Sequence, residues 1–256
     1  MRRKLFGFVL WALALAPPVA LAAKGSGSAA ASMELGTFPI PMHVESETRG
    51  VFIELTQEIA RRSRADVAIR VVPPRRALDG FENQSFVGMF PALDVSFPAG
   101  QAFIRTREAI DCKEDFVFTR KDTPFLKTLA DLKGKRVGIT RGYPYAREVT
   151  DNTTFTLETA ASDEANIQKL LAGRLDAFVL DEKTGVQAFA LLGAKALMQY
   201  PAGAPVSRQE VYYAFQSTAE GKLLAELFST ALQQMKADGR YQQISRGVTF
   251  AHGCPR

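Results

Sequence analysis

The segment from residue 129 to residue 181 constrains the fold more than any other part of the chain. It begins LADLKGKRVGITRGYPYAREV and ends NIQKLLAGRLDAFVLDEKTG. Residues 136–140 and 176–180 are short apolar runs typical of buried strands, and residues 166–171 have the spacing of an amphipathic helix. The pattern predicts two parallel strands of an α/β layer, one followed by a loop and the other by Asp181. Since open α/β sheets bind ligands at the carboxyl ends of their strands, this edge is the predicted binding site.

The rest of the chain alternates between strand and helix patterns. Further strands are predicted at residues 33–38, 67–72, 86–91, 103–107, 116–119, 195–199 and 211–216, and helices at residues 51–63, 75–83, 219–238 and 241–245. The helix at 51–63 is predicted from Val51, Phe52, Leu55 and Ile59, which share one face at helical spacing. The alternation indicates an α/β protein with mixed sheets flanked by helices.

The first residues predict export. Residues 2–4 are basic, residues 5–16 are apolar, and Ala20-Leu21-Ala22 is a small-x-small cleavage site. This order is typical of a secretory signal peptide over residues 1–22, cleaved near Ala22-Ala23, with an uncleaved anchor as the alternative. Residues 23–32 read as a flexible lead-in. The expected location is the periplasm.

Net charge argues against several partners. The chain carries a formal charge of +5, of which the signal segment supplies three charges and leaves about +2. We therefore expect no nucleic-acid partner and no membrane binding. No phosphate loop or nucleophile elbow occurs, and no metal site or cofactor is expected. His43 and His252 do not stand at metal-ligand spacing from the cysteines.

Two cysteines, Cys112 and Cys254, lie in the exported part of the chain. In an oxidising compartment a single disulfide between them is the expected pairing. The alternative is two unpaired thiols.

Four motifs in order carry a resemblance to a known family. The segments VFIELTQEIARR, LADLKGKRVGI, LLAGRLDAFVLD and LQQMKADGRYQQI resemble those of extracellular solute-binding proteins of the amino-acid type, family 3. PPRRALDGF is similar to the segment that opens the second helix of that family. The resemblance covers nearly all of the chain after the signal segment.

The resemblance implies a two-lobed fold of the type II periplasmic-binding-protein class, with the ligand in a cleft between the lobes. Lobe 1 would comprise residues 33–120 and 209–256, and lobe 2 residues 121–208. The implied function is capture of a small polar solute, such as an amino acid, for an inner-membrane ABC permease or a sensor. The resemblance also implies a monomer.

The resemblance also suggests ligand contacts. Arg107, with Arg105 as second choice, is similar in position to the family arginine that binds the ligand carboxylate, although the family's two residues between Thr and Arg are missing here. A plain surface arginine is the alternative. Asp181 is similar in position to the acid that receives the ligand ammonium, and a helix N-cap is its alternative role.

The loop after the first strand of the segment supplies further candidates. Thr140, Gly142, Tyr143 and Tyr145 match the family loop that precedes a helix, and a plain connecting loop is the alternative. Two residues from the first part of the chain complete the set, namely Arg76, which follows Pro73-Pro74, and Phe38 at the first loop. For Arg76 a structural role such as capping is the alternative to a ligand contact.

Two other functions remain open at this stage. One is an enzyme on the same fold, since a few members of the family resemble cyclohexadienyl dehydratases, and such chemistry needs a placed general acid, for which Asp181 or Glu182 could serve. A member that binds a protein partner instead of a solute is the third possibility, because fold does not determine function.

Overall fold

The computed structural model describes residues 33–248 and Cys254, which belong to one compact unit. The predicted signal peptide at residues 1–22 and the predicted lead-in at residues 23–32 lie outside the described residues. The strands are β1 (Met33–Thr37), β2 (Val67–Val71), β3 (Gly88–Ala92), β4 (Phe103–Arg105), β5 (Asp111–Arg120), β6 (Arg136–Thr140), β7 (Thr156–Ala160), β8 (Ala177–Asp181), β9 (Met198–Gln199) and β10 (Ser207–Gln216). The helices are α1 (Val51–Ser63), α2 (Pro74–Glu82), α3 (Arg147–Thr150), α4 (Asp163–Leu171), α5 (Glu182–Leu191), α6 (Ala219–Ala237) and α7 (Arg240–Ser245).

The strands form a mixed sheet in the order β2-β1-β3-β10-β5-β8-β6-β7, with β4 beside β10 and β9 beside β5. Strand β1 is parallel to β2 and β3, and β6 is parallel to β7 and β8. The parallel pair predicted from residues 136–140 and 176–180 is confirmed, since Val137 lies opposite Ala177. The predicted α/β fold class, with a mixed open sheet flanked by helices, is confirmed as well.

Two long strands join the two ends of this sheet. Residues 111–115 of β5 pair antiparallel with residues 207–211 of β10, and we call this stretch the central ribbon. Beyond it, β10 pairs with β3 and β4, and β5 pairs with β8 and β9. The first half of the molecule thus contains β1–β4 with α1, α2, α6 and α7, and the second half contains β6–β9 with α3–α5.

Each half has its own buried apolar clusters. In the first half one cluster includes Phe90, Tyr213 and Phe228 and another includes Phe81 and Phe97. In the second half the corresponding clusters are centred on Phe118, Phe178 and Phe189 and on Val137 and Val179. Because the burial of apolar surface is the main favourable term in folding, each half contributes a core of its own to stability.

Helix α1 is found at the predicted bounds, and its buried face contains Val51, Phe52, Leu55 and Ile59. Gly50 precedes it with φ 121°, and a Cβ at that position would lie 2.4 Å from the carbonyl oxygen of His43. Glycine is therefore required where the first loop turns into the helix.

Two strand predictions are wrong in extent. Strand β5 runs through Cys112 as ten continuous residues, whereas separate short strands at 103–107 and 116–119 were expected to flank that cysteine. Charged residues at its start hide the strand, which is held by pairing with β10 and β8. At residues 195–199 the structure has a 3-10 turn, Lys195–Leu197, and only the two-residue strand β9.

The predicted disulfide is confirmed. Cys112 in β5 is bonded to Cys254 across 142 residues of sequence. The bond fixes the C-terminal end of the chain to the central ribbon. None of the helices within residues 33–248 has the length and the apolar character needed to span a membrane.

Candidate ligand-binding site

The strands of both halves end at the central ribbon. The last residue of β3, Ala92, lies opposite Tyr212 of β10. The last residue of β8, Asp181, lies opposite Asp115 of β5, and Asp115 in turn pairs with Ser207 of β10. The carboxyl ends of the parallel strands therefore face the same stretch from two sides, at the edge where α/β sheets bind ligands.

A pocket of about 510 Å³ opens between the two halves. Pro41 and Met42, in the loop after β1, line one side, and residues of α5 from Glu182 to Ala190 line the other, together with Tyr200. The loop after β1 thus faces helix α5, which follows β8, across this pocket. Its volume is in the range that small-molecule sites occupy.

Arg76 lies at the carboxyl edge of the first half, in the first turn of α2 just after β2. Its neighbour Arg75 pairs with Asp79 at 2.9 Å, but Arg76 is exposed and makes no ion pair with any residue that the structure describes. The capping or pairing role considered for Arg76 has no partner there. Its guanidinium is available for an anionic group.

Phe38 follows β1 at the same edge and is half-buried against the cluster that contains Phe81 and Phe97. The preceding residue, Thr37, is fully buried, and its hydroxyl has no hydrogen-bond partner among the described residues. Phe38 therefore forms part of the wall at the end of β1. Its contact with a ligand stays a prediction.

On the second half, a polar network joins the ends of β6 and β7. The Thr140 hydroxyl donates to Oδ1 of Asp163 at 2.6 Å, and the Tyr143 hydroxyl lies 3.3 Å from Oδ2 of the same carboxylate. The side-chain amide of Asn166 donates to Thr140 Oγ1 at 3.0 Å. Thr140 and Tyr143, which were predicted from the resemblance of this loop to the family loop, are thus brought together with Asp163 in the first turn of α4.

This network has an uncompensated negative charge. Burial raises the pKa of Asp163 above its ordinary range, the hydrogen bonds from Thr140 and Tyr143 partly offset that effect, and the charge of Asp181 adds to it. The pKa of the Tyr143 hydroxyl is also raised, first by burial and then by the charges of Asp163 and Asp181. Within the described part of the chain, neither carboxylate is in an ion pair. The second half therefore presents two acids, with Tyr143 close to both, to the edge of the sheet.

Asp181 ends β8 and is half-buried. Its carboxylate accepts a hydrogen bond from the Thr184 amide at 3.0 Å, so the N-cap considered from the sequence is present at α5. The cap uses Oδ1, and Oδ2 has no hydrogen bond among the described residues. A ligand role for Asp181 stays a prediction that is compatible with the cap.

The remaining loop residues hold the loop in place. Gly142 has φ 82°, which a turn here requires. Tyr145 is buried, and its hydroxyl accepts from the Thr140 amide at 3.0 Å and donates to Val179 O at 3.1 Å. Gln209 of the central ribbon donates to Pro144 O at 2.8 Å. Tyr145 thus anchors the loop to β6 and β8, and the predicted ligand contact at this residue is untested.

The arginines predicted as carboxylate clamps have partners of their own. Arg107 forms an ion pair with Glu226 of α6, and its backbone amide donates to Ser229 at 3.0 Å. Arg105 binds both oxygens of Asp94 and stacks 4.4 Å from the ring centroid of Tyr212. A clamp role for either residue stays a prediction, and it would require these pairs to break.

Comparison with known proteins finds distant relatives. No protein-family model matches the chain. The sequence is 24% identical to the histidine-binding periplasmic protein of Salmonella typhimurium, over 91% of this chain and 95% of that protein. It is 31% identical to the lysine/arginine/ornithine-binding periplasmic protein of Escherichia coli, over 49% of this chain and 50% of that protein. These relatives support the resemblance to extracellular solute-binding proteins of family 3.

A solved structure supports the fold. A mutant of the arginine-binding protein ArgBP from T. maritima superimposes with a TM-score of 0.62 at 21% identity, covering 84% of this chain and 93% of that one. The resemblance proposed from four sequence motifs agrees with these comparisons. The curated relatives are periplasmic by name, which agrees with the predicted export signal.

Sequence reasoning missed Asp163 and Asn166. The missing information was β7, whose sequence Thr-Leu-Glu-Thr-Ala alternates weakly and was not recognised as a strand. Without β7, the start of α4 could not be assigned to the sheet edge. The available signal was Ser162, which caps α4 by accepting from the Ala165 amide and is followed at once by two acids.

Proposed function

We propose that this protein captures a small zwitterionic or cationic solute, with amino acids as the first class to test, and delivers it to the permease of an ABC transporter. The proposal depends above all on one observation. Charges of opposite sign that have no ion pair within the described part of the chain lie at the carboxyl edges of the two halves, Arg76 on the first and Asp163 with Asp181 on the second.

Each charge suits one part of an amino acid. A planar guanidinium can bind a carboxylate through two parallel hydrogen bonds, which makes Arg76 the proposed contact for the ligand carboxylate. Asp181 is the proposed acceptor for the α-ammonium group, and Thr140, Gly142 and Tyr143 form the adjoining wall. Relatives named for histidine and for lysine, arginine and ornithine support the amino-acid class.

The two halves are the proposed lobes, with residues 33–120 and 209–256 in lobe 1 and residues 121–208 in lobe 2. The central ribbon is the proposed hinge, because it joins lobes that have separate cores. Closing the lobes on a solute would bring Arg76 towards Asp181 and remove both from water. We further propose that the protein acts as a monomer and that its partner is an inner-membrane ABC permease.

The test is a binding screen of the exported part of the chain after unfolding and refolding to remove any co-purified solute. Differential scanning fluorimetry against amino acids, amines and organic acids identifies stabilising solutes, and isothermal titration calorimetry measures their affinity. At a ligand concentration of about 1,000 times Kd, linkage predicts about 4 kcal/mol of added stability, which is several degrees in Tm. A folded sample that no solute of these classes stabilises would refute the proposal.

The enzyme hypothesis is tested by a separate experiment on the same protein sample. The curated relatives are binding proteins. Incubation with prephenate or arogenate, followed by chromatography, is expected to leave the substrate unchanged. Release of carbon dioxide and an aromatic product would replace the binding proposal with the dehydratase one.

A further inference from the structure

Asp163 is held by a chain of three side chains with a defined hydrogen-bond direction. Asn166 donates from its amide nitrogen to Thr140 Oγ1, so the Thr140 hydroxyl proton is directed to Asp163 Oδ1. Asn166 itself is completely buried. It fits there because residue 138 is glycine, where a Cβ would lie 2.7 Å from Asn166 Oδ1. The orientation of the Asp163 carboxylate is therefore set from inside the second half.

The orientation of Asn166 gives Thr140 a hydrogen bond but leaves the side-chain oxygen of Asn166 without one among the described residues. Its Oδ1 is buried and has no partner among the described residues. Leaving a buried acceptor unpaired costs about 1–3 kcal/mol, which a purely structural asparagine would avoid. This orphaned oxygen is independent of the two acids, and it indicates that the position of the Thr140 hydroxyl matters.

Asp163 differs from the acids that the protein buries elsewhere. Glu58 is paired with Arg61 and Arg62, and Asp115 is paired with Lys113. Asp111 has the ring of His43 at 3.6 Å. Asp163 receives only hydroxyl groups, from Thr140 and Tyr143, and no cation within residues 33–248 pairs with it.

An oriented carboxylate without a cation is suited to receive a cation from outside. Burial of an unpaired charge is unfavourable, and a ligand ammonium, guanidinium or imidazolium group would remove that cost. The nearby Tyr143 ring can flank such a group. A metal ion fits this position less well, since the described residues contain no group of three His, Cys, Asp or Glu side chains that could bind one.

We propose that Asp163 is a specificity-determining ligand contact that binds the side-chain cation of the solute, and that Asn166 is a positioning residue that acts on it through Thr140. The inference rests on the proposed function, because it presupposes a solute between the halves. It separates two tasks, with Asp181 receiving the α-ammonium group and Asp163 distinguishing cationic from neutral side chains.

The test compares Asp163→Asn with wild type against L-arginine, L-lysine, L-ornithine and L-histidine, and against neutral amino acids such as L-glutamine. The asparagine keeps an acceptor for the Thr140 hydroxyl but removes the charge. Affinity for the cationic solute is expected to fall about 100-fold, because truncating one partner of a desolvated ion pair is expensive. Affinity for neutral solutes is expected to stay within about twofold or to rise, since their binding does not need the charge. Glu164→Gln, at the next and exposed position, is the matched control and is expected to keep both affinities within about twofold, because an exposed charge is screened by solvent.

Thermal stability distinguishes this role from a structural one. Removing a charge that burial disfavours is expected to leave the Tm of ligand-free Asp163→Asn equal to or above that of wild type. Asn166→Leu, which breaks the positioning chain without altering the charge, is expected to weaken cationic binding about tenfold and neutral binding much less. A parallel loss for both solute classes, together with a lower Tm, would overturn the proposal and leave the network as structural.

The outcomes separate this inference from the proposed function. If wild type binds no solute, the proposed function fails and this inference fails with it. If wild type binds an amino acid and Asp163→Asn binds it equally well with the same preference, only the inference fails. Circular dichroism verifies folding of each variant, and Thr140→Val serves as a second variant if Asp163→Asn does not fold, with the same loss confined to cationic solutes.

Discussion

Glu58 on α1 and Asp163 on α4 are both carboxylates withdrawn from water, and the protein treats them in opposite ways. Glu58 accepts hydrogen bonds from Arg61 at 2.8 Å and from Arg62 at 2.7 Å. Chiefly the bond from Arg61 lowers the pKa of Glu58 to about 2, against the opposing effect of burial. Asp163 has only hydroxyl partners, and burial raises its pKa.

The difference extends to the surroundings of each acid. On the outer surface of the first half, Arg62 also reaches Asp238 of α6, and Arg107 of the same half pairs with Glu226. At the carboxyl edge of the strands, Arg76, Asp163 and Asp181 have no ion pairs among the described residues. Paired charges contribute to folding, whereas charges kept unpaired are available for a solute. The comparison therefore supports the proposed binding edge without reference to any relative.

The largest expected effect tests Arg76, one of the charges without an ion pair among the described residues. Arg76→Ala is expected to weaken solute binding about 100-fold, because a desolvated carboxylate would lose its bidentate partner. Arg107→Ala is the matched control in the paired set and is expected to leave affinity within about twofold, as its guanidinium is bound to Glu226. Isothermal titration calorimetry measures both. A greater loss for Arg107→Ala would restore Arg107 as the carboxylate clamp.

The second-largest expected effect tests Glu58, one of the charges that are held in ion pairs. Glu58→Gln is expected to lower the free energy of unfolding by about 1–2 kcal/mol, since the three charged hydrogen bonds from Arg61 and Arg62 to a buried carboxylate are weakened. Solute affinity is expected to stay unchanged. Urea denaturation measures the loss, with Glu54→Gln, whose single ion pair to Arg246 is 3.5 Å long, as a control expected to stay within about 0.5 kcal/mol of wild type. Equal losses in the two variants would contradict the comparison.

Glu58 and Asp163 also differ in the pH at which each carboxylate is protonated. The folded pKa of Glu58, about 2, is below its ordinary value of 4.5, so its stabilisation is complete above pH 4.5 and is lost as the pH falls through about 2. The pKa of Asp163 is raised, so this acid is protonated at a higher pH than an ordinary aspartate. Calorimetry and thermal denaturation between about pH 3 and pH 7 should therefore show cationic binding declining before the Glu58 contribution does. Affinity that persists unchanged to the lower end of that range would contradict the prediction.

The smallest expected effect adds a cation beside the unpaired acid. Glu164 is exposed, and its charge contributes to the raised pKa of Asp163. Glu164→Lys is expected to weaken cationic binding about threefold, because it introduces repulsion towards the solute that salt then screens. Titrations at low and high salt measure the effect. A salt-independent loss would indicate a structural cause instead.

Much of the fold could be predicted because local periodicity was strong. Helix α1 and strand β6 lie at their predicted bounds, and β8 is displaced by one residue from its prediction. Strand β7 was missed, and β5 was predicted only over residues 116–119, because polar residues interrupt their apolar pattern. Pairing with neighbouring strands decides such segments, and neighbours are not visible in a local window.

The site was predicted in part for the same reason. Thr140, Tyr143 and Asp181 follow strands that the sequence reveals, so their place at the binding edge could be inferred. Arg107 shows the limit, because its partner Glu226 lies 119 residues away in the sequence. Asp163 could not be found while β7 was unrecognised.

The sequence by itself determined the α/β alternation, the cysteine pair and the resemblance to a family, because each depends on residue type and short-range spacing. Only the tertiary structure decided which charges are neutralised and which have no ion pair among the described residues. Arg75 and Arg76 are adjacent and chemically identical, yet Arg75 pairs with Asp79 and Arg76 pairs with no residue that the structure describes. An electrostatic interaction depends on distance and burial in space, and those quantities exist only once the chain has folded.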